Sequence, residues 1–307
     1  MEKCQFFMKG TISMDTIVLC KMFHSNDPLS ENYKLLPLHY PQIGYLTWIT
    51  NVKNLDQSCA WIKINCHELL KAQNISKDDI KTMTNFLDDQ LAKIGLTRHD
   101  FNVNRIDYDY NVAVNENERE ALFDILGGLP QRVMRMDRAK FPQSVYYMCK
   151  ARHFQIYDKV NERIAKGKHI KPWEIDILRQ EVQCFASHIR HMKEHRNLMP
   201  TWDNWVDLDL QAHYLRNAKP IFLKGDFYLL DQAIDIINSS NLGSAKKRNL
   251  CDDLKLIAVQ GLDAMMESYS RNSYKDHLNC FEELGISPLT LPTKYKHLGK
   301  IVNPFFI

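Results

Sequence analysis

The chain has 307 residues, of which 45% are hydrophobic and 25% charged, with a formal net charge of +3 at pH 7. This is the balance of a water-soluble globular protein with enough apolar material for two domains, or for one large one with an extension. No run nears the ~18 apolar residues of a membrane span, and the mild positive charge is compatible with nucleic acid without demanding it. Eight cysteines, with no CxxC pair and several inside apolar runs, read as reduced, mostly buried thiols of a cytoplasmic protein. Lys3 and Lys9 are followed by neither an apolar core nor a small-residue cleavage site, so the start does not read as a signal peptide.

Met14–Phe23 alternates and is rich in β-formers, which predicts a strand. Residues 25–44, punctuated by prolines, read as an irregular loop. Gly44–Val52 and Cys59–Cys66 read as strands joined by a turn at Asn54–Ser58. Ser76 then precedes an apolar stripe at Ile80, Met83, Phe86, Leu87, Leu91 and Ile94, a capped amphipathic helix stopped at Gly95. A second helix covers Glu116–Leu126, and Ser144–Lys150 with Phe154–Val160 reads as a strand pair. After about residue 195 strand signals vanish. Trp202–Tyr214, Asp226–Asn238, Ser244–Tyr269 and Asn272–Leu284 all read as helices, with a boundary near 196–203.

Three stretches share one design. In Asn104–Val112, Ile106, Tyr108 and Tyr110 face one way, and Arg105, Asp107, Asp109 and Asn111 the other. In His153–Glu162, Phe154, Ile156 and Asp158 oppose His153, Gln155, Tyr157 and Lys159. In Leu178–Cys184, Leu178, Val182 and Cys184 oppose Arg179, Glu181 and Gln183. Strands that are mainly apolar behind and charged in front predict one sheet whose open face gathers a phenol, carboxylates and guanidiniums. The element order predicts an α+β fold, an antiparallel sheet with helices on one face over residues 1–195, followed by an α-helical region over 196–307.

Taken in order, these stretches resemble the rolling-circle replication initiators of small plasmids and filamentous phages, the gene II/X type. The resemblance runs through MDTI (Met14–Ile17), KINCHELLKAQNI (Lys63–Ile75), VNRIDYDYNV (Val103–Val112), IYDK (Ile156–Lys159), LRQEV (Leu178–Val182) and ELGISP (Glu283–Pro288). Each motif is short, and their ordered combination carries the likeness. It implies a Rep nickase-like endonuclease and strand-transferase domain, in which a tyrosine attacks a phosphodiester at a phage or plasmid origin. That tyrosine stays bonded to the 5′ phosphate while the freed 3′ hydroxyl primes synthesis, assisted by a divalent metal, Mg²⁺ or Mn²⁺. The implied partners are origin DNA, duplex and single strand, with host helicase and polymerase, for a monomer or dimer away from any membrane. The chain departs from the wider superfamily in lacking a strict His–hydrophobic–His pair. His188, His191 and His195 instead lie along one helix face, either as a basic stripe or as a transition-metal site.

On that resemblance Tyr157 is the expected nucleophile, with Lys159 beside it and Arg105 and Arg179 to hold phosphate. Tyr146 and Tyr147 are its rivals, and a half-buried sheet tyrosine is the plain alternative. Asp107, Asp109 and Glu181 are the expected oxygen ligands of a hard divalent cation, against a polar face simply paired with Arg105 and Arg179. Lys246, Lys247, Arg248, Arg271 and Lys275 are expected to meet DNA, and Ser268–Gly285 has a helix–turn–helix pattern with Ser273–Leu284 as its reading helix. A helical bundle with a wet basic face explains the same lysines. Two further functions fit the residues: a non-catalytic DNA-binding replication or copy-control protein, and a transposase-like strand transferase.

Overall fold

Alternation of apolar and polar residues, the period a pleated strand requires, runs through the first two thirds of the chain and builds one eight-stranded antiparallel sheet there. The computed structural model describes residues 10–24, 26–33, 57–72, 74–133, 136–141, 144–218 and 224–305. The strands are β1 (Gly10–His24), β2 (Gln57–Asn65), β3 (Asn102–Ala113), β4 (Arg132–Val133), β5 (Met136–Phe141), β6 (Ser144–Met148), β7 (Arg152–Asp158) and β8 (Ile177–Phe185). In space they run β2-β1-β3-β8-β7-β6-β5-β4. The three stretches of shared design are β3, β8 and β7, direct neighbours at the middle of the sheet. Their register sets Asp109 opposite Glu181, Asn111 and Tyr157 opposite Arg179, and Gln155 opposite Glu181.

One face of this sheet is closed by helices. After α1 (Cys66–Leu70), α2 (Lys77–Ala92), α3 (Glu116–Gly127) and α4 (Lys159–Ala165), the chain leaves β8 directly into α5 (Ala186–Arg196). Then follow α6 (Trp202–Trp205) and α7 (Leu208–Ala218). These last three helices pack on β1, β3 and β8. Tyr108 donates to the Trp205 carbonyl at 2.7 Å and stacks on Tyr214 with ring centroids 5.5 Å apart. Gln180, buried on the same face, donates to the Leu215 carbonyl. Burying this layer, with Met14, Ile17, Ile106, Tyr108, Val182, Phe154 and Trp205 all at 2% exposure or less, is the main favourable term of the fold.

The rest of the chain is helical: α8 (Leu230–Ser239), α9 (Ser244–Gln260), α10 (Leu262–Ser268) and α11 (Arg271–Glu283), clasped by the short strands β9 (Phe227–Tyr228) and β10 (Lys300–Ile301). It meets the sheet unit beyond α3, where Leu262 donates to the Gly128 carbonyl and Tyr295 to Asp124.

The elements differ from the sequence reading at several points. The strand expected at Gly44–Val52 lies outside the described residues. Strands β4 and β5 were not foreseen, because Met136–Phe141 lacks clear alternation. Strand β7 stops at Asp158, whose side chain accepts the Asn161 amide and caps α4, so Lys159 opens a helix and does not continue the strand. The single helix expected over Ser244–Tyr269 is broken at Gly261, where φ is +80°, a conformation that glycine adopts without penalty. The change of character near residue 196 is not a break in packing, since α6 and α7 complete the cover of the sheet.

Trp205 is fully buried between His188 and Tyr214. Trp205→Ala is expected to lower unfolding stability by about 3–5 kcal/mol, read as a fall in the urea midpoint.

Candidate functional site

The open face of the sheet forms a cleft of about 940 Å³ between β1, β3, β8, β7 and β6, with α4 along one rim. Because side chains alternate along each strand, Asp107, Glu181, Tyr157, Tyr146 and Gln183 all line it. Tyr147, one residue from Tyr146, points to the closed face, where its hydroxyl donates to the Pro130 carbonyl. That removes one of the two rival tyrosines from the cleft.

Arg179 is the hub, 3% exposed. Its Nε donates to Asn111 at 2.7 Å and lies 3.3 Å from Asp109, while a terminal nitrogen donates to Asp15 at 2.6 Å. Asp109 is also met by His67 Nε2 at 3.2 Å and by the Asn111 amide at 2.6 Å. Asp107 is gripped by Arg105 through two bonds, 2.8 and 2.6 Å, the forked geometry that suits guanidinium and carboxylate. Arg105 itself lies over the Phe185 ring. Glu181 accepts the Tyr157 hydroxyl at 2.8 Å and the Gln183 amide at 2.6 Å. Lys159 lies 3.2 Å from Glu162, with its Nζ 5.5 Å from the centre of the Tyr157 ring.

The electrostatics follow from burial and crowding. Burial pushes the Asp107 carboxyl up to about 8, against the pull of Arg105, and the nearby Glu181 and Asp15 charges add to the rise. Glu181 is raised by burial and then by Asp15, with Arg179 opposing. Asp15 is held low: burial works to raise it, and the cations Arg179, Lys159 and His67 outweigh that. Burial and then Arg179 lower the Lys159 ammonium. Burial, with Glu181 next, sends the Tyr157 phenol well above its ordinary value.

Asp15, Asp107 and Glu181 therefore share a cleft in which each carboxylate is felt by the others. A hard divalent cation suits this oxygen donor set, since it would relieve their repulsion. The set is open: among the described residues no three His, Cys, Asp or Glu side chains stand together as a ready metal cage. Asp109 has most of its bonding directed to Arg179, Asn111 and His67.

The sequence reading named Arg105, Asp107, Asp109, Tyr157, Lys159, Arg179 and Glu181, and the fold brings all seven to one region. It missed Asp15 and His67. Asp15 sits at a shift of register between Met14 and Thr16, a β-bulge that turns its side chain toward Arg179. The only signal was the broken spacing of apolar residues in MDTI. His67 arrives from α1, just after β2. The histidine row separates: His188 is buried and bonded to the Tyr214 hydroxyl at 2.8 Å, while His191 and His195 are exposed. In the helical region Lys246 is paired with Asp276 and Lys247 donates to the Asn238 carbonyl. Arg248, Arg271 and Lys275 are exposed, with no ion pair among the described residues.

By sequence, a chain with this cleft stands among the rolling-circle replication initiators. Residues 21–195, more than half of the chain, match the family described as the N-terminal part of the replication-associated gene II protein of phages, and the chain belongs to that family. A solved rolling circle replication initiator protein from Geobacillus stearothermophilus aligns with a TM-score of 0.30 and 10% identity, over 62% of this chain and 80% of that one. No curated protein matches the sequence. No helix among the described residues is long and apolar enough to cross a membrane.

Burial holds His188 down to about 4, with Arg152 and His191 adding to the effect. An unfolded histidine takes its proton near 6.5, so the unfolded state gains protons first as pH falls. Stability is expected to drop between about pH 6.5 and 4 and to change no further from this group below that. His188→Gln should flatten that limb, measured as urea midpoints across the pH range.

Proposed function

We propose that this initiator nicks one DNA strand at the origin of a phage or plasmid replicon and starts rolling-circle synthesis through a covalent 5′-phosphotyrosine. The observation that carries the reading is the convergence on one open sheet face of two phenols, Tyr157 and Tyr146, with buried carboxylates and the cations Arg105, Arg179 and Lys159. Transfer of a phosphodiester to tyrosine needs a positioned hydroxyl, a sink for its proton, and positive charge where phosphorus gains electrons. The cleft holds each of these. Arg105 and Lys159 stand where a scissile phosphate would meet them, and Arg179 braces the carboxylates. Asp107 and Glu181, with Asp15 near them, would hold Mg²⁺ or Mn²⁺; when bound, the cation would polarise a phosphate oxygen. The chemistry conserves bond energy, because the phosphotyrosine can return its phosphate to a 3′ hydroxyl. The same pair of steps therefore opens and later rejoins the strand.

Recognition of duplex is assigned to the helical region. Helices α10 and α11, joined through Tyr269 and Ser270, have the lengths of a helix–turn–helix pair. Helix α11 buries His277, Leu278 and Phe281 and leaves Arg271, Asn272, Lys275 and Asn279 exposed, side chains suited to phosphates and base edges.

The unaltered protein, mixed with supercoiled DNA of the replicon that encodes it and Mg²⁺ or Mn²⁺, is expected to give open circles and a denaturant-resistant protein–DNA adduct. Absence of the adduct with either metal would leave a DNA-binding protein that does not cut. Asp107→Asn keeps the shape and removes a charge, so nicking should fall by at least about tenfold and recover in part as metal concentration is raised.

Arg271→Ala and Lys275→Ala should each weaken duplex binding and reduce the slope of log affinity against log salt by about 1. Fluorescence anisotropy over a salt series measures this. An unchanged slope would move the DNA contact elsewhere.

A further inference from the structure

We propose that Tyr146 is the attacking phenol of the cleft and His153 the base that takes its proton, while Tyr157 is a positioning residue. The proposal rests on the nicking reading above and deepens it.

The two phenols reach the cleft from paired strands. In the β6–β7 register Ser144 faces Tyr157 and Tyr146 faces Gln155, so the rings sit diagonally on one surface. Their surroundings differ. Tyr157 is 9% exposed, and its hydroxyl is already donated to Glu181 at 2.8 Å. A phosphodiester would have to come within about 3 Å of that oxygen, which lies under its own ring's neighbours, Lys159 and Arg179. Tyr146 is only partly buried and lines the open cleft. It lies within electrostatic range of Glu181, Arg105 and Asp107, the groups that would meet the phosphate.

Tyr146 also has what Tyr157 lacks, a nitrogen base at hydrogen-bond distance. Its hydroxyl lies 2.7 Å from His153 Nδ1. The imidazole is fixed on three sides: its ring packs edge-on against Phe185 at 4.5 Å and against Tyr146 at 5.3 Å, and Nδ1 is 3.2 Å from Gln183 Oε1. Burial, with the Arg105 charge nearby, holds this histidine below its usual range, so its nitrogen is bare at neutral pH. The charged and titratable groups facing it are Tyr146 on β6 and Arg105 on β3; Gln183 on β8 is neutral.

One nitrogen cannot accept from Tyr146 and donate to Gln183 at once. The two contacts fit the two halves of a proton transfer. Before attack, Nδ1 accepts the phenol proton; afterwards, the new N–H finds Gln183 Oε1. That oxygen is held in place because the Gln183 amide nitrogen donates to Glu181 at 2.6 Å. In the step, the Tyr146 oxygen bonds to phosphorus as the bond from phosphorus to the 3′ oxygen breaks. The phenol proton passes to His153, and the departing 3′ oxygen takes a proton from solvent. No further reactant is needed. Tyr157 acts through Glu181, whose carboxylate it holds against the cleft wall.

The test is made on the adduct formed with supercoiled DNA of the encoding replicon and Mn²⁺. After nuclease digestion and trypsin, phosphorylated nucleotide is expected on the peptide spanning residues 141–150, with fragmentation placing it on Tyr146. The rival peptide spans 153–159 and contains Tyr157. Tyr146→Phe should abolish the adduct. Tyr157→Phe should still form it on the first peptide, more slowly. His153→Gln should slow adduct formation by about 10²-fold or more and remove the fall in rate seen below about pH 6.5. Each variant is first shown to bind duplex as the unaltered protein does. Nucleotide on the 153–159 peptide, or an adduct from Tyr146→Phe, overturns the assignment. An unchanged pH profile in His153→Gln overturns the base. If the unaltered protein forms no adduct, the nicking reading itself has failed, an outcome distinct from a wrong tyrosine.

Discussion

A buried guanidinium must be paired, and the pairing of Arg179 organises the cleft. Removing a cation from water costs several kcal/mol unless hydrogen bonds and opposite charge replace the lost hydration. Arg179 obtains these from three places: Asn111 and Asp109 on β3, and Asp15 on β1. Each partner comes from a different position in the chain, so the cation can be satisfied only when β1, β3 and β8 are in register. His67, brought by α1, closes the far side of Asp109. Deleting the guanidinium would strand two carboxylates, and deleting one carboxylate would leave the cation short of a partner. The network therefore specifies the arrangement of the central strands as well as filling the site.

Around this hub the sheet divides chemistry from stability. Its closed face is apolar and covered by α5, α6 and α7, and its open face carries nearly all the charge. The division is a direct result of side chains pointing alternately up and down. Tyr146 and Tyr147 show how sharp it is. One lines the cleft; the other, a residue later, is fully buried beneath the sheet with its hydroxyl on a backbone carbonyl.

Where period and pairing determine structure, the sequence was legible. The faces of β3, β7 and β8 follow from alternation in NRIDYDYNV, HFQIYDK and LRQEVQC, and the sheet keeps them. Helix α2 follows from its capping serine and its stripe of Met83, Leu87 and Leu91. What could not be read was set by contacts between distant segments. His67 becomes part of the site only because β2 pairs with β1 and delivers α1 to Asp109. His188 left the expected row because Tyr214, twenty-six positions on, offers its hydroxyl. Lys246 and Lys247 were counted toward a DNA-facing surface, yet their partners Asp276 and Asn238 lie on other helices. Local pattern gives the face of an element; only tertiary packing says what stands opposite.

The bulge at Asp15 has a further meaning for the chain. Upstream of it, Ile12 and Met14 point to the closed face; downstream, Ile17 and Leu19 do. The parity of the strand has changed from even to odd, and one extra residue made the change. That residue is also the carboxylate that Arg179 holds. The phase of the strand and the charge of the cleft are thus encoded in a single codon. A substitution there alters the charge and keeps the phase, whereas a deletion would lose both, sending either Ile12 and Met14 or Ile17 and Leu19 to the wrong side of the sheet.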